Sequence, residues 1–312
     1  MTNADLRQLI NGLFSLFQAD LPLHLLKGEE SGMDIHMFIY EYRRRFGIEP
    51  KLISPSDLRL LPDPACELGY RLCCISRIDD RTMASYKPTR LFTYKGETLE
   101  EVHQVGLELH QHELAALTLE MRRHISLRCF NDMRSILLVH DKRMLGIVRQ
   151  EIPDMVSRGL LGQKQATALY KGIVETLLPN SPEIASLLQA SRESLQLQNN
   201  YILKPIRSGK GNGILFGEDL RPREWVSKLE SLQSEKSFGN LRASCVVQRR
   251  IIPKLYDVIL KPDESKDQHA LVGTYHATNG QLLGLGIWRS SPSRIIAVSC
   301  GGSWICSVIY RE

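Results

Sequence analysis

The sequence predicts an α/β protein of more than one lobe, and three observations carry that expectation. Strand-length apolar runs alternate with amphipathic stretches of helix length through about residue 150. Past Tyr201 the texture changes to short β-rich runs punctuated by glycine. At 312 residues and 43% hydrophobic content the chain can fill two or three compact lobes, because single cores stop growing near this size.

In chain order, Leu6, Leu9, Ile10, Leu13, Phe14, Leu16 and Phe17 repeat with helical spacing over a wide apolar face. Such a face needs a cover, and a further N-terminal segment is its natural one. Pro22 to Leu26 reads as a buried strand, Asp34 to Phe46 as a helix stopped by Gly47, and Pro50 to Ser54 and Tyr70 to Ser76 as strands. Strand, helix, strand in that order predicts a parallel layer. Asp79 to Lys87 is polar and turn-rich and leads into the run Thr89 to Tyr94. Val102, Val105, Leu109, Leu114, Leu117 and Leu119 then predict one long helix, followed by a strand from Ile125 to Cys129, a turn at Asn131-Asp132 and a helix from Ile136 to Val148.

Residues 1–150 therefore form a first α/β lobe, and 151–200 a helical bridge with turns at Pro153, Gly159 and Pro179 to Pro182. Residues 201–312 are the β-rich part. There Tyr201 to Lys204 and Gly213 to Phe216 flank a glycine loop, a helix runs from about Arg223 to Leu232, and Ala243 to Arg249 is a strand. A hairpin turns at Asn279-Gly280 between Val272–Ala277 and Leu282–Trp288.

Forty basic and 35 acidic residues leave a net charge of +5 with no basic tail, so nothing requires a nucleic-acid partner. Arg43-Arg44-Arg45 reads as a solvated helix end. The seven cysteines include no C-x-x-C pair, which fits reduced thiols. With no leader and no apolar run of membrane-spanning length, the expectation is a soluble, cytoplasmic protein.

The sharpest local feature is Lys204-Pro205-Ile206-Arg207-Ser208-Gly209-Lys210-Gly211-Asn212-Gly213 between two short strands. Gly209, Gly211 and Gly213 let the backbone approach phosphate oxygens with consecutive N–H groups, and Lys204 supplies a point charge. A Walker loop or a Rossmann fingerprint would open a helix, whereas this loop opens a strand. A bare hairpin turn remains the alternative. Farther on, Cys245 to Pro253 is an apolar strand running into a polar stretch, which can offer backbone groups to an adenine edge or be an ordinary core strand.

The run Tyr201 to Pro205 with its loop, the strand ending at Gln248, the hairpin from Gly273 to Arg289 and the segment Val139-His140-Asp141-Lys142-Arg143 together resemble circularly permuted ATP-grasp proteins of the glutathionylspermidine-synthase type. The resemblance implies a Rossmann-like pre-ATP-grasp lobe followed by ATP-grasp lobes. It implies that Lys142 and Lys204 grip the ATP phosphates, that Gly209, Gly211 and Gly213 form a lid, and that Gln248, Arg249 and Ile251 meet the adenine. By the same resemblance Lys210 stands near a loop arginine of the family, Arg289 is the late arginine beside the transferring phosphoryl group, and Asp257 reaches a ribose hydroxyl. The implied activity is carboxylate–amine ligation with ATP and magnesium, on a small-molecule carboxylate and amine. One departure is plain: the chain has no Glu-x-Asn, the family's magnesium-binding pair. A further N-terminal segment or a partner chain would have to supply those ligands, and a non-catalytic nucleotide-binding protein is the alternative.

His103, His110 and His112 fall within the predicted long helix, and His112-Glu113 begins a zinc-protease motif whose second histidine is replaced by Ala116. They read as polar helix-face residues. Gly301-Gly302-Ser303-Trp304 reads as a tight strand connection rather than a nucleophile turn.

Overall fold

Leu23–Lys27 (β1) is the strand around which the N-terminal part is organised. In the computed structural model, which describes residues 6–29, 32–77, 89–129, 133–194, 196–234, 245–260 and 265–305, it lies between Lys51–Ile53 (β2) and Gln104–Glu108 (β7). It runs parallel to both. Four of the five β1 residues are buried, as a central parallel strand requires. The chain divides into two compact units, one of Ala4–Ile136 with Ala277–Leu283, the other of Leu137–His276 with Gly284–Glu312.

In the first unit, Leu6–Phe14 (α1) and Asp34–Phe46 (α2) cover β1. On the inner side of α1, Phe14 meets Phe38, Tyr42 and Phe46 edge-on at ring separations of 5.4, 5.5 and 5.4 Å, while Leu13 is exposed. Gly47 ends α2 in the left-handed region at φ 69°, as the sequence indicates. The arginines at the helix end are solvated, Arg44 paired with Glu41 and Arg43 with Glu49.

A second sheet is antiparallel, in the order β3-β4-β6-β5, built from Leu58–Pro62 (β3), Tyr70–Ile75 (β4), Leu91–Tyr94 (β5) and Glu97–Glu101 (β6). The predicted long helix is therefore wrong. Its first half is the connection after β6 and all of β7, and only Gln111–Ala116 (α3) is helical before Leu119–Ser126 (α4). Val102 and Val105 matched helical spacing by coincidence; both are β-branched, Val105 pairs with His24 of β1, and the Val102 N–H donates to Leu72 O of β4 at 3.0 Å. In the segment expected as a strand from Ile125 to Cys129, Ile125 and Ser126 end α4, a turn follows, and Cys129 makes an isolated bridge to Val105. The turn-rich run 79–87 and the Asn131-Asp132 turn lie outside the described residues.

In place of one helix from Ile136, there are two, Met133–Val139 (α5) and Arg143–Ser157 (α6), broken at residues 140–142. In the second unit Gln163–Gly172 (α7) follows, and Thr176–Leu177 (β8) joins the stretch expected as a helical bridge to a sheet. That sheet is antiparallel with the order β10-β9-β11-β8, using Tyr201–Pro205 (β9), Leu215–Phe216 (β10) and Cys245–Arg249 (β11). Pro182–Glu193 (α8) and Pro222–Ser234 (α9) pack on it through Ile184, Leu187, Trp225 and Leu229. Trp225 is buried and its indole N–H donates to Ser191 Oγ at 3.0 Å, so a large apolar ring is seated without an orphaned polar group.

The last sheet has the order β12-β13-β14-β15, from Leu255–Val258 (β12), Asp267–Thr278 (β13), Gln281–Ser291 (β14) and Ser303–Ile305 (β15). Its long hairpin turns at Asn279 (φ 49°) and Gly280 (φ 75°), the positive-φ pair that the Asn-Gly sequence predicts.

Candidate functional site

The break between α5 and α6 places Lys142 at the start of α6, against the end of β9. The backbone N–H of Lys142 donates to Ile206 O at 3.1 Å, and its ammonium donates to Ser208 O at 2.7 Å. Gly146 brings α6 close to β8; a Cβ there would lie 2.6 Å from Thr176 O, so no side chain is tolerated at that contact. Asp141 stiffens the break. It accepts from Arg143 Nε at 3.0 Å and Nη2 at 2.6 Å, and from Arg207 Nη2 at 3.3 Å. Burial pushes its carboxyl up, but these bonds and charges hold it below its ordinary value.

Lys204 lies on β9 opposite Val246 of β11. Its ammonium is held below the ordinary lysine range first by burial and then by the positive charge of Lys142, which places the two lysines in one electrostatic neighbourhood. Lys142 is also lowered by burial, against the opposing pull of Asp141 and Cys245. Among the described residues no carboxylate pairs with Lys204. Two partly desolvated ammonium groups, one without a counter-ion, make a site that an anion would stabilise.

The glycine loop follows directly. Lys210 (φ 56°), Gly211 (φ 82°) and Gly213 (φ 74°) all have positive φ, which glycine adopts without strain and Lys210 adopts against the preference of its side chain. The loop is braced rather than loose. A Cβ on Gly211 would collide with Ile295, and one on Gly213 would lie 2.7 Å from Pro205 Cγ. Cys300 Sγ donates to Lys210 O at 3.8 Å. The segment that supplies Ile295 is itself anchored: Arg294 bonds Glu218 at 2.6 Å and Asp219 at 2.6 Å, and its guanidinium lies 4.2 Å from the Phe216 ring centroid.

The expected adenine-side residues divide. The Gln248 side chain is buried and donates to Thr176 Oγ1 at 2.8 Å, so it is a core group of the sheet and any adenine contact there falls to backbone. Arg249 is exposed with its guanidinium 5.3 Å from the Tyr201 ring centroid. Ile251 and its neighbour Ile252 are 69% and 83% exposed just past β11. Arg289 is not brought to the lysines by any described contact; it lies on β14 opposite Trp304, its buried Nε without a hydrogen-bond partner among the described residues. Asp257 pairs with Lys266 at 3.1 Å and accepts from Gln268 at 3.2 Å, so its carboxylate is occupied. The His103, His110 and His112 expectation of one shared helix fails, since His103 lies between β6 and β7, while His110 caps α3 and His112 is in its first turn. Sequence reading also missed the brace of Asp141, Arg207, Arg294 and Ile295, which no local pattern marks because its members are far apart in the chain.

The glycine loop thus lies between antiparallel strands with two partly buried lysines beside it, in a mixed α/β fold of several sheets. Residues 1–138 match the family described as the AnkG N-terminal domain. The chain is 36% identical over 304 residues to a protein named ATP-grasp enzyme ankG from Aspergillus thermomutatus, covering 97% of this chain and 62% of that one. It thus spans about three-fifths of that relative's length. Among solved structures it resembles a glutathione synthetase like-effector from Globodera pallida, in apo form, with a TM-score of 0.50 and 12% identity over 96% of this chain and 59% of the other. That likeness speaks to the fold alone. Among the described residues no helix is long and apolar enough to cross a membrane.

Proposed function

We propose that the chain binds ATP at Lys142, Lys204 and the Gly209–Gly213 loop and belongs to a carboxylate–amine ligase. The observation that supports this most is the pair of partly buried lysines beside a positive-φ glycine loop. In such a ligase the γ-phosphoryl group passes to a carboxylate oxygen, giving ADP and an acyl phosphate. The amine then attacks the acyl carbon, phosphate leaves and an amide forms. Lys142 and Lys204 would hold phosphate oxygens and offset the charge gathered on the transferring group. Ile251 and Ile252 would flank the adenine, with Arg249 beside it, while Lys210 and Arg289 act from the loop and from β14. The glutathionylspermidine-synthase-type, permuted order of elements belongs to the same reading.

Magnesium is the part these residues do not fit. Near the loop, Asp141 is held by Arg143 and Arg207, and Glu218 and Asp219 by Arg294, with Arg250 also on Glu218, so each carboxylate is already neutralised. No step is therefore routed through the metal, whose carboxylates would come from another segment or a partner chain. The same observation favours a second reading, nucleotide binding without turnover. Calorimetry with ADP tests the shared part: no binding sinks both readings. Magnesium-dependent ADP release with carboxylate and amine mixtures, lost in Lys204→Ala, supports the ligase; binding without release supports the second.

A further inference from the structure

His24, Cys74 and Glu100 come from three different strands, β1, β4 and β6, and are 0%, 0% and 3% exposed. One donor atom from each lies within 4.8 Å of the other two. His24 Nε2 is 3.4 Å from Glu100 Oε1, and Cys74 Sγ is 3.5 Å from the same oxygen. Strand pairing builds the cluster: Cys74 faces Glu100 across β4 and β6, and His24 faces Lys51 across β1 and β2. Lys51 in turn holds the other oxygen of Glu100.

The histidine is the anomaly. Both its ring nitrogens are buried; Nδ1 has no hydrogen-bond partner among the described residues and Nε2 has only the long 3.4 Å approach to Glu100, an arrangement that folded proteins avoid unless something else satisfies the group. We propose that His24, Cys74 and Glu100 are ligands of a divalent ion of the zinc class. Imidazole, thiolate and carboxylate are the donor types zinc takes, and none of the three needs to travel far. With zinc bond lengths of about 2.0–2.3 Å, the edges of a tetrahedron between nitrogen and oxygen and between sulfur and oxygen are about 3.4 and 3.6 Å. The observed separations already match.

The chemistry of loading balances. With no ion bound, the Cys74 thiol donates to Glu100 Oε1 at 3.5 Å. Binding would form metal–nitrogen, metal–sulfur and metal–oxygen bonds and release the Cys74 proton to solvent. Thiolate and carboxylate then match the two charges of the ion, and Lys51 remains on the outer oxygen of Glu100 as a second-layer partner. Three protein ligands leave a fourth position for a solvent molecule or small ligand. The site belongs to the unit that does not contain the glycine loop and rests on nothing in the nucleotide reading.

Titration of the purified full chain with Co²⁺ tests it, because tetrahedral cobalt bound to thiolate has a distinctive near-ultraviolet charge-transfer band. The expected result is a stoichiometric equivalent of cobalt with that band, displaced by Zn²⁺, retained in Cys73→Ser and lost in Cys74→Ser. Absence of the band at excess Co²⁺, or its survival in Cys74→Ser, overturns the site and leaves a metal-free polar cluster. Should Cys74→Ser fail to fold, His24→Gln decides with the far-ultraviolet spectrum as control. Affinity weakened about tenfold or more supports ligation, and unchanged affinity overturns it.

Discussion

The Lys142 ammonium donates to the Ser208 carbonyl at 2.7 Å, tying the break between α5 and α6 to the mouth of the glycine loop. In the proposed site a phosphate competes for that ammonium, so nucleotide binding and loop position are coupled. Lys142→Ala and Lys204→Ala should each weaken ADP binding by about 1.5–3 kcal/mol, the range of a hydrogen bond to a charged group, with little loss of fold. Calorimetry on each variant checks this, and unchanged affinity in both would remove the lysines from the site.

Gly211 combines a φ of 82° with contact on Ile295, so its substitution acts twice. Gly211→Ala should add strain of about 1–3 kcal/mol and push the loop off the Ile295 segment. Hydrogen exchange at residues 209–213 should be slowed by nucleotide in the parent chain and be faster in the variant at equal nucleotide occupancy. Identical exchange with and without saturating nucleotide would leave the loop as a bare turn.

Gly146 predicts an effect at a distance. Its Cβ position is occupied by Thr176 O at 2.6 Å and by Leu178, so Gly146→Val must displace the first turn of α6, which carries Lys142. We expect overpacking to cost about 1–3 kcal/mol in chemical denaturation. It should also weaken nucleotide binding, although residue 146 touches no nucleotide in the proposed site. Stability loss with unaltered ADP affinity would show that α6 placement does not set the lysine.

Much of this could be read from sequence where one physical signal dominated. Asp34 to Phe46 ended by Gly47, and the Asn279-Gly280 hairpin, follow from local backbone preferences and came out as expected. The reading failed at 102–119, where the spacing of apolar residues imitated a helix and strand pairing with β1 decided otherwise. Lys142 and Lys204 were named from motifs, yet their neighbourhood depends on a break in a helix that periodicity smoothed over. The Asp141–Arg207 pair and the Ile295 brace are long-range contacts between residues with no local signature. Nor can alternation along β11 say that the Gln248 amide finds Thr176 in the core.

The depressed lysines give a pH signature with a definite sign. Lys204 is held below its ordinary value of 10.5 by burial and by Lys142, and Lys142 is lowered by burial. In the alkaline window between the lowered folded value and 10.5, the unfolded chain binds protons that the folded chain does not. The contribution of Lys204 to stability therefore rises as pH climbs through that window and is unfavourable below it, where a charged ammonium must be buried. A bound phosphate reverses the preference, since a nearby anion favours the ammonium form and raises its value. Nucleotide binding in the window should thus take up protons. Calorimetry of ADP binding in buffers of differing ionisation enthalpy would register that uptake, and Lys204→Met should reduce it along with the affinity. Proton release on binding, or uptake unaffected by the substitution, would show that the lysine does not meet the phosphate.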